Sequence, residues 1–195
     1  MNVAWTQAAE GFPRRAFTVE DVRRLVDIGV IGEDENFELV EGEFVMMASK
    51  SIAHDNIKNA LNLALAKVVP EGVFICIENT IQLSEMTLVE PDVAVIKRSV
   101  YQADPKGFAK PTAADVLLLI EVAVSSMAYD RKVKARLYAR HGIREFWVID
   151  ANERITWVHT QPSGEAWGSI VERGPNETMT TPTLPGFAVR LAEID

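Results

Sequence analysis

Residues 116–124 form the most apolar stretch of the chain, and a single charge, Glu121, interrupts it. Val116, Leu117, Leu118, Leu119 and Ile120 come before the acid, and Val122, Ala123 and Val124 come after it. A short run of this kind predicts a strand buried on both faces of a sheet, so the sheet must hold a carboxylate in its interior. An unpaired carboxylate taken out of water costs at least several kcal/mol, roughly, and normally gains a proton, a cationic partner or a metal ion. The fold has to supply one of the three.

The surrounding pattern predicts alternating strands and helices. Residues 1–17 read as a leader, and Thr18 with Glu20 and Asp21 marks the capped, acidic start of a short helix running to about Gly29. Residues 37–47 carry two apolar arms around a Glu41-Gly42-Glu43 turn, which predicts a hairpin. Apolar residues at Ile57, Leu61, Leu65 and Val68 have helical spacing, and Pro70 and Gly72 end that helix. Strands are expected at 73–77, 80–83, 88–96 and 116–124, with a polar loop holding at most one helical turn at 97–114. A second helix, about 129–141, is closed by Gly142, and residues 145–149 form another core strand. Segments 155–159, 167–171 and 187–191 look like peripheral antiparallel strands. The expected class is α/β (α+β), a mixed sheet flanked by helices, in one domain over 18–195 with its core at about 37–150.

The chain's 195 residues fit one domain, and 48% hydrophobic with 25% charged residues is the balance of a soluble globular protein. A net charge of −8 leaves no broad basic face for nonspecific nucleic-acid binding through bulk charge. The one cysteine, Cys76, sits in an apolar run, which excludes an internal disulfide and fits a reducing cytoplasm. The N-terminal residues lack the pattern of an export signal, and no run approaches the roughly 18 apolar residues that cross a bilayer. Neither export nor membrane association is expected.

The chemistry centres on two acids. Asp92, after Pro91, lies in the apolar segment 88–96 and shares with Glu121 a placement on a rigid element. Two such acids on neighbouring strands can hold a hard cation. Mg²⁺ favours one or two carboxylates plus water and phosphate oxygens, with Mn²⁺ the alternative. Lys134 follows on the next helix, where its long stem can bring an ammonium back over the strand end to a phosphate or a water.

Plainer readings stand beside these. Glu121 also fits a structural ion pair, Pro91 with Asp92 also fits a turn, and Lys134 with Asp130 makes an ordinary i,i+4 pair. His54 fits a helix-start polar residue, while Glu38 and Glu41 fit a solvated hairpin face as well as a third acid. Tyr129, Tyr138 and Trp147 read as packing. Arg131, Lys132, Arg136 and Arg140 read either as phosphate contacts or as a solvated helix face.

The order Pro-Asp, a Glu in an apolar strand, then a Lys resembles the PD-(D/E)XK nuclease superfamily. More closely, the segments 37–43, 90–92, 119–122, 125–126 and 129–131, Lys134, and the segments 137–140 and 142–150 resemble a large bacterial family described as putative restriction endonucleases. The resemblance covers about residues 18–150 and implies a restriction-endonuclease-like fold. It implies Asp92 and Glu121 as metal-binding acids, the Val122 carbonyl as backbone ligand, and Lys134 as catalytic lysine. In many superfamily members the lysine lies two residues after the strand acid. Ala123 holds that position here, and Lys134 fits the family's transfer of the lysine to the following helix. His54 matches a histidine frequent in the family, and Glu41, Glu38 and Asp130 are accessory candidates. Val124 stands where a polar residue is expected, and Glu78 where the family often has Gln.

The resulting expectation is a Mg²⁺-dependent endonuclease hydrolysing DNA, with no organic cofactor, and a homodimer if both strands are cut by symmetric sites. The alternative is a nuclease-like binding or assembly module without catalysis, suggested by the acidic charge and Val124. A structural protein with a buried ion pair is the third reading.

Overall fold

The computed structural model describes residues 5–7, 11, 13–32, 35–47, 50–100 and 110–194. In chain order the first elements are β1 (Trp5–Gln7), β2 (Pro13–Arg15), α1 (Val19–Asp27), β3 (Phe37–Val40), β4 (Glu43–Met46) and α2 (Ile52–Ala66). Four strands follow: β5 (Val73–Ile77), β6 (Ile81–Ser84), β7 (Thr87–Val89) and β8 (Val93–Lys97). Next are β9 (Val116–Ala123) and helix α3, built from Met127–Tyr129, a π-helical stretch Asp130–Lys134, and Ala135–Arg140. The last strands are β10 (Glu145–Asp150), β11 (Thr156–Ser163) and β12 (Ala166–Arg173). The molecule is a mixed α+β fold with one mixed and one antiparallel larger sheet.

The chain divides into two compact units, the first made of Met1–Met47 and Thr80–Glu90. Within the stretch read as a leader, β1 and β2 pair antiparallel. Helix α1 starts as its sequence dictates. Thr18 Oγ1 accepts from the Asp21 N–H at 3.0 Å while Asp21 returns a carboxylate oxygen to the Thr18 N–H at 3.0 Å. The expected hairpin is β3–β4, and its turn residues Glu41 and Gly42 both have positive φ, 51° and 87°. That pair of left-handed residues matches the right-handed twist of the flanking strands. Strands β4, β3, β7 and β6 lie side by side in that order, burying Leu39, Ile81 and Val89.

The second unit comprises Ala48–Asn79 and Pro91–Asp195. Its six-stranded sheet runs β12-β11-β10-β9-β8-β5. Strands β9 and β10 are parallel, joined through α3, and the other pairings in this sheet are antiparallel. Alternation along β9 divides its side chains. Leu118, Ile120 and Val122 join Ile57, Leu61 and Leu65 of α2 in one apolar core. Glu121, one step out of that alternation, meets side chains of α3 instead. Cys76 is buried in β5, as its apolar setting predicts.

Two expectations fail. The apolar run 88–96 is not one strand. It breaks at residues 90–92, so that β7 joins the four-stranded sheet and β8 the six-stranded one. Pro91 has no N–H to give a ladder, and the chain leaves one sheet for the other there. Residues 187–191 form no strand either. Val189 makes an isolated bridge with Met179, while Phe187 and Leu191 fill the core. The expected loop at 97–114 ends in a short 3₁₀ turn, Ala113–Asp115, and residues 101–109 lie outside the described residues. No helix among the described residues is long and apolar enough to cross a membrane.

Candidate metal and phosphate site

Helix α2 begins where Ser51 caps it, its hydroxyl accepting from the His54 N–H at 3.3 Å. That cap fixes His54 in the first turn, facing inward and buried. Its Nε2 lies 2.8 Å from Asp92 Oδ1 and its Nδ1 lies 3.2 Å from Asp55 Oδ1. Both ring nitrogens thus point at carboxylate oxygens, an arrangement that two N–H donors satisfy. Burial pulls the His54 pKa down, but the hydrogen bond and charge of Asp92 and the bond to Asp55 outweigh it and raise the value above the ordinary 6.5.

Asp92 precedes β8, and its second oxygen, Oδ2, accepts the Val122 N–H at 2.7 Å. The antiparallel register pairs Val93 with Ile120, and one step further sets residue 92 opposite residue 121. The two acids therefore sit on neighbouring segments at one end of the β8–β9 pair. Asp92 and Glu121 are 7% and 4% exposed, so both carboxylates lie inside the protein.

Glu121 receives two donors from α3 on the same oxygen, Oε1. Lys134 Nζ approaches to 3.0 Å and Tyr138 Oη to 2.7 Å. Lys134 is itself buried, and its ammonium also stands 5.9 Å from the centre of the Tyr129 ring. It leaves the C-terminal end of the π-helical stretch, where the Ala135 N–H reaches back to the Asp130 carbonyl. Such local widening of a helix is frequent at functional sites. The buried carboxylate of the sequence analysis has a cationic partner, and that partner is the lysine singled out for chemistry.

The structure thus brings His54 and the Val122 N–H to Asp92, and Lys134 and Tyr138 to Glu121. Asp130 is buried on the π-helical stretch and accepts the Ser126 hydroxyl at 2.6 Å. Glu38 and Glu41 belong to the other unit. There Glu38 is buried and accepts the Glu90 N–H at 2.8 Å, and Glu41 occupies the hairpin turn. Arg136 and Arg140 both bond Glu165, and the Arg131 guanidinium lies 3.9 Å over the Trp157 ring. Tyr138 is the residue that sequence reasoning assigned to packing alone. Its signal was its place four residues after Lys134, on the same helix face.

Among the described residues no three His, Cys, Asp or Glu side chains group into a metal cage. The donor set nevertheless fits a hard divalent cation of the Mg²⁺ type, which needs only one or two carboxylates beside water and phosphate oxygens. Each carboxylate oxygen has two lone-pair directions, so the single bonds from His54 and the Val122 N–H to the two oxygens of Asp92 orient that acid and leave each oxygen a second direction.

A family model described as "Putative restriction endonuclease", the Uma2 family, matches residues 19–192. The fold resembles a crystal structure of a "putative nuclease belonging to DUF820" from Anabaena variabilis, with a TM-score of 0.68 and 14% identity, covering 91% of this chain and 96% of that one. A search of curated proteins gives no match.

Proposed function

We propose, from the premise that this chain belongs to the Uma2 family, that it is a metal-dependent endonuclease hydrolysing DNA phosphodiester bonds at the site of Asp92, Glu121 and Lys134. The observation that supports the reading is that two buried acids, Asp92 and Glu121, stand at opposed positions of neighbouring segments, and that a buried lysine from the next helix meets Glu121. Asp92, Glu121 and the Val122 carbonyl would hold Mg²⁺ or Mn²⁺. The bound ion supplies Lewis-acid polarisation of the scissile phosphate. Lys134 would hold the attacking water or a phosphoryl oxygen and offset developing negative charge. Tyr138 and His54 act as positioning residues, the first holding Glu121 and the second Asp92.

The test is nicking of supercoiled plasmid with Mg²⁺ or Mn²⁺ by the full chain and by Glu121→Ala prepared in parallel. Metal-dependent nicking absent from the variant is expected, and equal nicking by both proteins would overturn the assignment. Two observations favour a second reading, a nuclease-like binding module without catalysis. Glu121 is already paired with Lys134, and Val124, where a polar residue was expected, packs against the apolar core. On that reading Mg²⁺ produces no change in the fluorescence or stability of the folded protein.

A further inference from the structure

Beside the carboxylates lies a second cluster that the reaction above does not use. Lys58, one turn after His54 on α2, is buried, with its side chain only 10% exposed. Its ammonium bonds Asp55 Oδ1 at 2.9 Å and also reaches Glu78 Oε1. Lys50 approaches that same Glu78 oxygen at 2.7 Å. Two ammonium groups thus converge on one oxygen atom. Asp55 Oδ1 also meets His54 Nδ1, so the cluster is joined to Asp92 through a single imidazole.

Whereas Lys58 is enclosed, Lys50 is partly exposed, at 28%, and so is Glu78, at 32%. The Glu78 backbone has φ +56°, a conformation that side-chain-bearing residues rarely adopt, and its N–H is donated to the Asp92 carbonyl at 3.3 Å. The carboxylate can turn outward to water, while Lys58 stays where burial and Asp55 hold it. What would remain is a pair of cations aimed at one point, in a chain whose net charge of −8 provides few such places for a polyanion.

We infer that Lys50 and Lys58 form a binding site for a backbone phosphate of nucleic acid, next to the Asp92 carboxylate, and that the Glu78 carboxylate occupies it until the phosphate displaces it. The inference rests on the nuclease reading for the identity of the ligand, though not for the existence of an anion site. Phosphate oxygens take the place of Glu78 Oε1 between the two ammonium groups, and Glu78 moves to solvent.

The test compares the wild type with Glu78→Gln, Lys50→Gln and the double variant, each first shown to be folded by thermal unfolding. Pyrophosphate binding by calorimetry probes the anion site alone. Fluorescence anisotropy of a labelled DNA duplex in Ca²⁺, over a series of NaCl concentrations, probes the nucleic acid. Glu78→Gln is expected to bind both probes more tightly by at least about fivefold, the order expected for removing a unit charge a few ångströms from the ligand. Lys50→Gln should weaken duplex binding and lower the salt slope by about one, and the double variant should lose the gain. Unchanged pyrophosphate affinity in Glu78→Gln overturns the site whatever the protein's activity. A gain for pyrophosphate with none for DNA overturns the nucleic-acid assignment and counts against the nuclease reading itself.

Discussion

Glu121 and Lys134 form an ion pair in which both side chains are nearly out of water, 5% and 7% exposed. Breaking such a pair from one side leaves a bare buried charge, a change that typically costs roughly 3–5 kcal/mol, whereas removing both charges costs much less. Lys134→Met is therefore expected to lower the free energy of unfolding by about 3 kcal/mol or more. Adding Glu121→Gln to it should recover a large part of the loss, as read from urea denaturation of the two single variants and the double. Additive losses would show that the two groups are not coupled in the folded protein. The buried Glu121 and its need for a partner were legible in the sequence because a carboxylate in an apolar run has no cheap explanation. Tyr138 was not, since a tyrosine among apolar residues looks the same whether its ring fills space or its hydroxyl meets a carboxylate.

At the scale of elements, the β3–β4 turn sets the tightest local requirement. Gly42 adopts φ +87°, and a Cβ added to it would lie 2.5 Å from the Cβ of Ala16. Gly42→Ala therefore carries both backbone strain and a steric clash, and should destabilise the first unit by roughly 1–3 kcal/mol. Faster amide exchange in β3 and β4 would report it, and unaltered exchange would refute it. This hairpin was readable because two apolar arms and a glycine leave few other arrangements. The break between β7 and β8 was hidden by the same kind of signal. Apolar residues continue on both sides of Pro91, and periodicity alone cannot tell one strand from two strands in separate sheets. Residues 187–191 misled for a related reason, because side chains that fill a core need no ladder around them.

At the scale of the molecule, the first unit is drawn from two separate stretches, with β3 and β4 supplied by Met1–Met47 and β6 and β7 by Thr80–Glu90. Removing residues 1–47 would leave β6 and β7 as a lone two-stranded hairpin, which is marginal in water. Limited proteolysis of that truncated chain should cut within residues 80–90 under conditions in which the full chain resists, and equal resistance would count against the division. The second unit has an order of its own. Asp92 is held by His54 from earlier in the chain and by the Val122 N–H from later, and Glu121 is held by Lys134 and Tyr138, later still. A ribosome makes these residues in that sequence, so a nascent chain carries both acids before it carries the lysine that neutralises one of them. Until residue 138 has left the exit tunnel the carboxylates have no complete set of partners, so whatever this site does begins only after α3 has emerged.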